Sequence, residues 1–127
     1  LELGNLQEIT IALFSHLIMI KMLHFQSGKY GAHKALDEYY DSFNEKMDRF
    51  LEVLQGERGR ISLMENKMNV SAELATDLDI SDKLDMFKYN VLLELVNSNY
   101  SNNLGLISIR DEMIADVDQL KYLLTFK

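Results

Sequence analysis

The chain has 127 residues, a formal net charge of −7, and no cysteine, tryptophan or proline. Without cysteine there is no disulfide framework, no thiolate zinc site and no cysteine nucleophile, so any metal chemistry must come from imidazole and carboxylate. The 13 Lys and Arg are scattered rather than clustered, which argues against binding to a nucleic-acid backbone.

One domain with one hydrophobic centre is expected at this length. Hydrophobic residues make up 47% of the chain, and stretches rich in Leu, Ile, Met, Lys and Glu favour helix over sheet, so the expected fold class is all-α. The most apolar run, Ile9 to Ile20, is about a dozen residues long and contains His16, too short and too polar to span a bilayer. It has neither a basic flank nor a small-residue cleavage site, so no signal peptide and no membrane association is expected. A soluble intracellular protein follows as the expectation.

In chain order, Leu6, Ile9, Leu13, Leu17, Ile20 and His24 recur at three- and four-residue steps and make one stripe of a first helix. Asn5 is its expected N-cap. His24 ends this core-facing stripe, and His16 lies about 80° from its centre at 100° per residue, which favours packing over a ligand role. The segment Gln26 to Ala32, with Gly28 and Gly31, reads as a turn joining antiparallel neighbours.

A second helix is expected to run to Gln55 with Gly56 as its C-terminal cap. Leu36, Phe43, Met47, Phe50 and Leu54 form its apolar arc. His33, Asp37, Tyr40, Asn44, Asp48 and Gln55 form a polar arc beside it, with Glu52 at the outer edge. From Glu57 to Ile80 the periodicity is weak apart from a short candidate helix after Ser71. A link of that length can run the length of a bundle, which favours a crossover topology. Ser81 is the expected cap of a third helix carrying Leu84, Phe87, Val91 and Leu95. Asn97 to Asn103 reads as a turn with Asn102 or Asn103 as the next cap, followed by a last helix with the stripe Leu106, Ile109, Met113, Val117, Leu120 and Leu124.

The chemistry concentrates on the second helix. His33 and Asp37 are four apart, and so are Asp48 and Glu52, so each pair projects from one face within reach of a single ion. Eleven residues separate Asp37 from Asp48, roughly 16 Å of helix, too far for one ion to touch both pairs. Either His24 and a neighbouring helix complete one pair, or the two pairs meet across a two-fold axis between copies of the chain. Glu94, Asp111 and Glu112 are alternative carboxylates for a site inside one subunit, although no Glu-x-x-His motif accompanies them. Tyr30, Tyr39 and Tyr40 lie near enough to relay electrons, but packing is the more common role of such residues.

The order His24, His33, Asp37, Asp48, Glu52 resembles the ferroxidase motif of the Dps-type miniferritins, and is similar to the Dps-like proteins of tailed phages. The likeness is strongest over Leu23 to Gly56, and the four-helix outline with a long second connection extends it along the chain. It implies a ferritin-like four-helix bundle forming a homo-oligomer, a dimer at least and a hollow dodecamer in a true miniferritin. It further implies a di-iron site in which His24, His33 and Asp37 come from one copy and Asp48 with Glu52 from another. Fe(II) would be oxidised there by peroxide or oxygen and sequestered, Zn being a possible surrogate, in the cytoplasm of a bacterial or phage-infected cell. Imidazole and carboxylate ligands with open positions suit that chemistry. The alternative is a ferritin-like structural or interaction protein, possibly phage-encoded, with no active metal site.

Overall fold

The structure is a computed structural model; it describes residues 2–62 and 77–126, with side chains over 6–62 and 79–126. Among the described residues, four helices form an all-α bundle. The first is Glu2–Gln26, the second Tyr30–Arg58 and the fourth Leu104–Leu123. The third, residues 77–100, is continuous but not uniform: an α segment Asp77–Met86, a π-helical stretch Phe87–Leu95 and an α turn Val96–Tyr100.

The stripes read from the sequence meet in one core. Leu6, Ile9, Leu13, Leu17 and Ile20 of the first helix, Leu36, Phe43, Met47, Phe50 and Leu54 of the second, and Leu106, Ile109, Met113, Val117 and Leu120 of the fourth are all buried. Each such side chain contributes roughly 1.5–3 kcal/mol by leaving water. The first helix is apolar beyond its core stripe as well. Ile11, Phe14, Ile18, Met22 and Phe25 fall at three- and four-residue steps beside the core stripe; Phe14 and Met22 are half-buried against the core, while Ile18 and Phe25 are exposed.

Ion pairs and hydrogen bonds fix the direction of each helix. His16 reaches Tyr39 and His24 reaches His33, so the first two helices are antiparallel. Lys46 pairs with Asp116, and Asn103 donates to Glu57, so the second and fourth are antiparallel too. Lys88 pairs with Asp118 and Lys121 with Asp85, which sets the third against the fourth in the same way. The second and third helices therefore run parallel. Arg58 at the end of the second stacks its guanidinium on Tyr100 at the end of the third. The chain leaves the second helix at one end of the bundle and enters the third at the other, the crossover expected from the long link.

Several boundaries differ from those expected. The first helix begins at Glu2, so Asn5 lies within it instead of capping it. The link to the second helix is only residues 27–29, and Tyr30, Gly31 and Ala32 are helical. The second helix passes Gly56 and stops at Arg58, where Gly59 takes φ 94° and donates its N–H to the Gln55 carbonyl. A side chain is strained at that φ, which is why glycine ends the helix there. The third helix is already formed at Asp77, which places Ser81 inside it, and it continues through Tyr100, well into the segment read as a turn. Asn103 does cap the fourth helix, accepting the Leu106 N–H at 3.0 Å. The candidate helix after Ser71 lies outside the described residues. Residues Leu6–Gln26 are long and apolar enough to cross a membrane by length and composition, a wider window than Ile9 to Ile20.

Candidate metal half-site at the first turn

The short link brings His24, in the last turn of the first helix, against His33, in the first turn of the second. His24 Nδ1 lies 2.8 Å from the His33 carbonyl oxygen, and His33 Nδ1 lies 2.7 Å from the His24 carbonyl oxygen. A carbonyl can only accept, so both Nδ1 atoms carry the proton and donate. This reciprocal arrangement also satisfies a last-turn carbonyl of the first helix, which has no partner within its own helix. The rings stack with centroids 3.7 Å apart and planes 23° apart.

With Nδ1 fixed as the donor, Nε2 is the ring nitrogen left over on each histidine. That is the nitrogen a metal ion would take. Asp37 Oδ1 lies 3.9 Å from His24 Nε2, and Lys21 Nζ lies 3.9 Å from the same oxygen. Lys21 also sits over the rings of Phe25 and Tyr40. An ammonium thus competes for the carboxylate and would have to yield to an arriving cation.

Of the five expected ligands, His24, His33 and Asp37 are therefore brought together, while Asp48 and Glu52 are exposed further along the second helix. Among the described residues, no three His, Asp or Glu side chains converge closely enough to hold a metal ion within one chain. The alternative carboxylates do not change this. Glu94 is exposed, Asp111 pairs with Arg110, and Glu112 lies 3.9 Å from Arg49.

The middle of the bundle is aromatic. His16 stacks on Phe87 at 3.6 Å between centroids, touches Phe43, and shares a 2.7 Å hydrogen bond between its Nε2 and the Tyr39 hydroxyl. Burial lowers the His16 pKa from 6.5 to about 3, so the ring is neutral. Tyr39, buried beside it and facing the charge of Asp116, is held well above the usual phenol range. Sequence reasoning placed His16 near the core but left Tyr39 out of the apolar arc; its position between Leu36 and Phe43 was the available signal. Arg110 had no such signal. It is 6% exposed and donates to the Leu92 carbonyl, Asn97 Oδ1 and Asp111 Oδ1, all at 2.8 Å.

No curated protein and no solved structure matches the chain. A match to one protein family covers residues 24–124, from the first histidine of the pair to the last residue of the fourth-helix stripe. On that match the chain belongs to DUF5856, a family of unknown function.

Proposed function

We propose that this chain is a Dps-like miniferritin subunit, which binds Fe(II) at a di-iron site shared between two copies, oxidises it and sequesters it. Iron is here substrate and cargo, and Zn(II) is a surrogate for it. The observation that carries the reading is the His24–His33 pair, with both Nδ1–H groups spent on carbonyls and both Nε2 atoms left for a metal beside Asp37. Two imidazoles and a carboxylate suit ferrous iron but leave positions open. Asp48 and Glu52 of a second copy would supply the missing oxygen ligands. The exposed Ile18 and Phe25 of the first helix, the latter next to His24, support burial against a second copy.

The test is anaerobic titration with Fe(II), followed by exposure to oxygen or peroxide. The wild type should bind iron and oxidise it faster than buffer does. His33→Asn is the informative variant, because its amide nitrogen can replace Nδ1 as the donor but nothing replaces Nε2. It should keep its melting temperature and lose iron binding. Neither binding nor accelerated oxidation in the wild type would end this reading.

A second reading, a ferritin-like structural or interaction protein, is favoured by one observation: the reciprocal bonds give both histidines a task without any metal. Each such bond is worth roughly 1 kcal/mol, enough to hold a three-residue link. This reading expects no rise in melting temperature with Fe(II) or Zn(II), since only a bound ligand stabilises the folded state.

A further inference from the structure

The hydrogen bond between Tyr39 and His16 joins an oxidisable phenol to a base in the interior of the bundle. The Tyr39 hydroxyl and His16 Nε2 are 2.7 Å apart, and both residues are buried. Phe43 and Phe87 close the pair in, with ring centroids 5.2 and 3.6 Å from His16. Tyr39 is not sealed off, however. Its other side lines a cleft of about 190 Å³ between the second and fourth helices, together with Glu38, Ser42, Asp116 and Gln119.

Electrostatics separate Tyr39 from the other tyrosines. A cation over or beside an aromatic ring opposes removal of an electron from it, and a nearby carboxylate favours it. Lys21 lies 4.8 Å from the Tyr40 ring centroid, Lys88 5.4 Å from Tyr89, and the Arg58 guanidinium 5.0 Å from Tyr100. Tyr30 and Tyr122 are exposed to water. Tyr39 instead shares its cleft with Asp116, and Lys46 is drawn onto Asp116 and Ser42 rather than onto the ring.

We propose that Tyr39 and His16 form a redox-active pair, in which Tyr39 gives up one electron while its phenolic proton moves along the 2.7 Å bond to Nε2 of His16. The products are a neutral phenoxyl radical and an imidazolium. The oxidant is a strong one-electron acceptor such as hydroxyl radical, reduced to hydroxide. A one-electron donor such as Fe(II) or ascorbate then restores the phenol as the proton returns. An oxidised phenol is a far stronger acid than any imidazolium, so even a buried, weakly basic imidazole takes the proton. The pair would let the bundle hold an oxidising equivalent in its core, wherever iron binds.

The test uses iron-free, full-length protein and photo-oxidised ruthenium tris-bipyridine, so that its outcome is separate from that of iron binding. Freeze-quench electron paramagnetic resonance should show a long-lived neutral tyrosyl radical in the wild type. Electron–nuclear double resonance should find one exchangeable proton at its oxygen, which disappears in deuterated buffer. Tyr39→Phe removes only the hydroxyl and should abolish the long-lived signal, leaving the short-lived signals of exposed tyrosines. A radical as persistent in Tyr39→Phe as in the wild type would overturn the proposal, and so would a wild-type radical without the exchangeable proton.

Discussion

At His16 the fold suppresses an ionisation by burial. Its pKa falls from 6.5 to about 3 because the ring is buried among Phe43, Phe87 and Tyr39. In the unfolded chain the same ring takes up a proton below pH 6.5, so the unfolded state binds more protons across the interval from there to about pH 3. Stability contributed by this group is complete above pH 6.5 and declines as the pH falls, by up to about 1.4 kcal/mol per pH unit. Urea midpoints measured from pH 7 to pH 4 should show this slope. Replacing both partners, as His16→Leu with Tyr39→Phe, removes the hydrogen bond without orphaning either group and should flatten the slope by one proton. An unchanged slope in the double variant would assign the acid sensitivity to other groups.

At the scale of elements, the third helix is where the regular pattern fails and why. A three- and four-residue periodicity extended from Leu84 and Phe87 selects Val91 and Leu95, but these are only half-buried. The buried positions are Ile80, Leu84 and Phe87, then Leu92, Val96 and Tyr100. The five-residue step from Phe87 to Leu92 is the signature of the π-helical stretch, in which Val96 donates to the Val91 carbonyl. A π turn takes in one extra residue and rotates everything after it around the axis. Arg110 braces this stretch from the fourth helix by donating to the Leu92 carbonyl and to Asn97. Arg110→Met keeps the aliphatic stem but leaves those acceptors without their charged donor, and should cost about 2–4 kcal/mol. Amide hydrogen exchange should quicken first between Phe87 and Asn97, whereas uniform quickening along the chain would show that Arg110 does not act on the π stretch.

The whole molecule runs up, down, down, up, and the crossover leaves both turn-forming histidines at one end of the second helix with Asp48 and Glu52 further along it. Among the described residues no single chain closes a site, so the functional reading is a statement about association. A symmetric pair of chains carries two such sites. In a mixed pair of His33→Asn and Asp48→Ala chains, one site receives both defects and the other receives none. Mixing the two inactive variants under conditions that exchange subunits should therefore restore about a quarter of wild-type iron oxidation for random pairing. Failure of the mixture to recover any activity, with light scattering showing that the chains had exchanged, would rule out a shared site.

The sequence by itself determined the helix class, the core stripes of the first, second and fourth helices and the crossover, and narrowed the last cap to Asn102 or Asn103, because each depends on local spacing or on chain length. It also put His33 and Asp37 on one helical face, and left open whether His24 reaches them. Only the tertiary structure decided that the three-residue link turns the two histidines face to face, since that depends on each ring reaching the other residue's carbonyl across the junction of two helices. The inward turn of Tyr39, the burial of Arg110 and the change of register in the third helix were likewise settled by packing. A guanidinium in the core or an extra residue in a helical turn is stable only when a specific neighbour satisfies it, and that neighbour is distant in sequence.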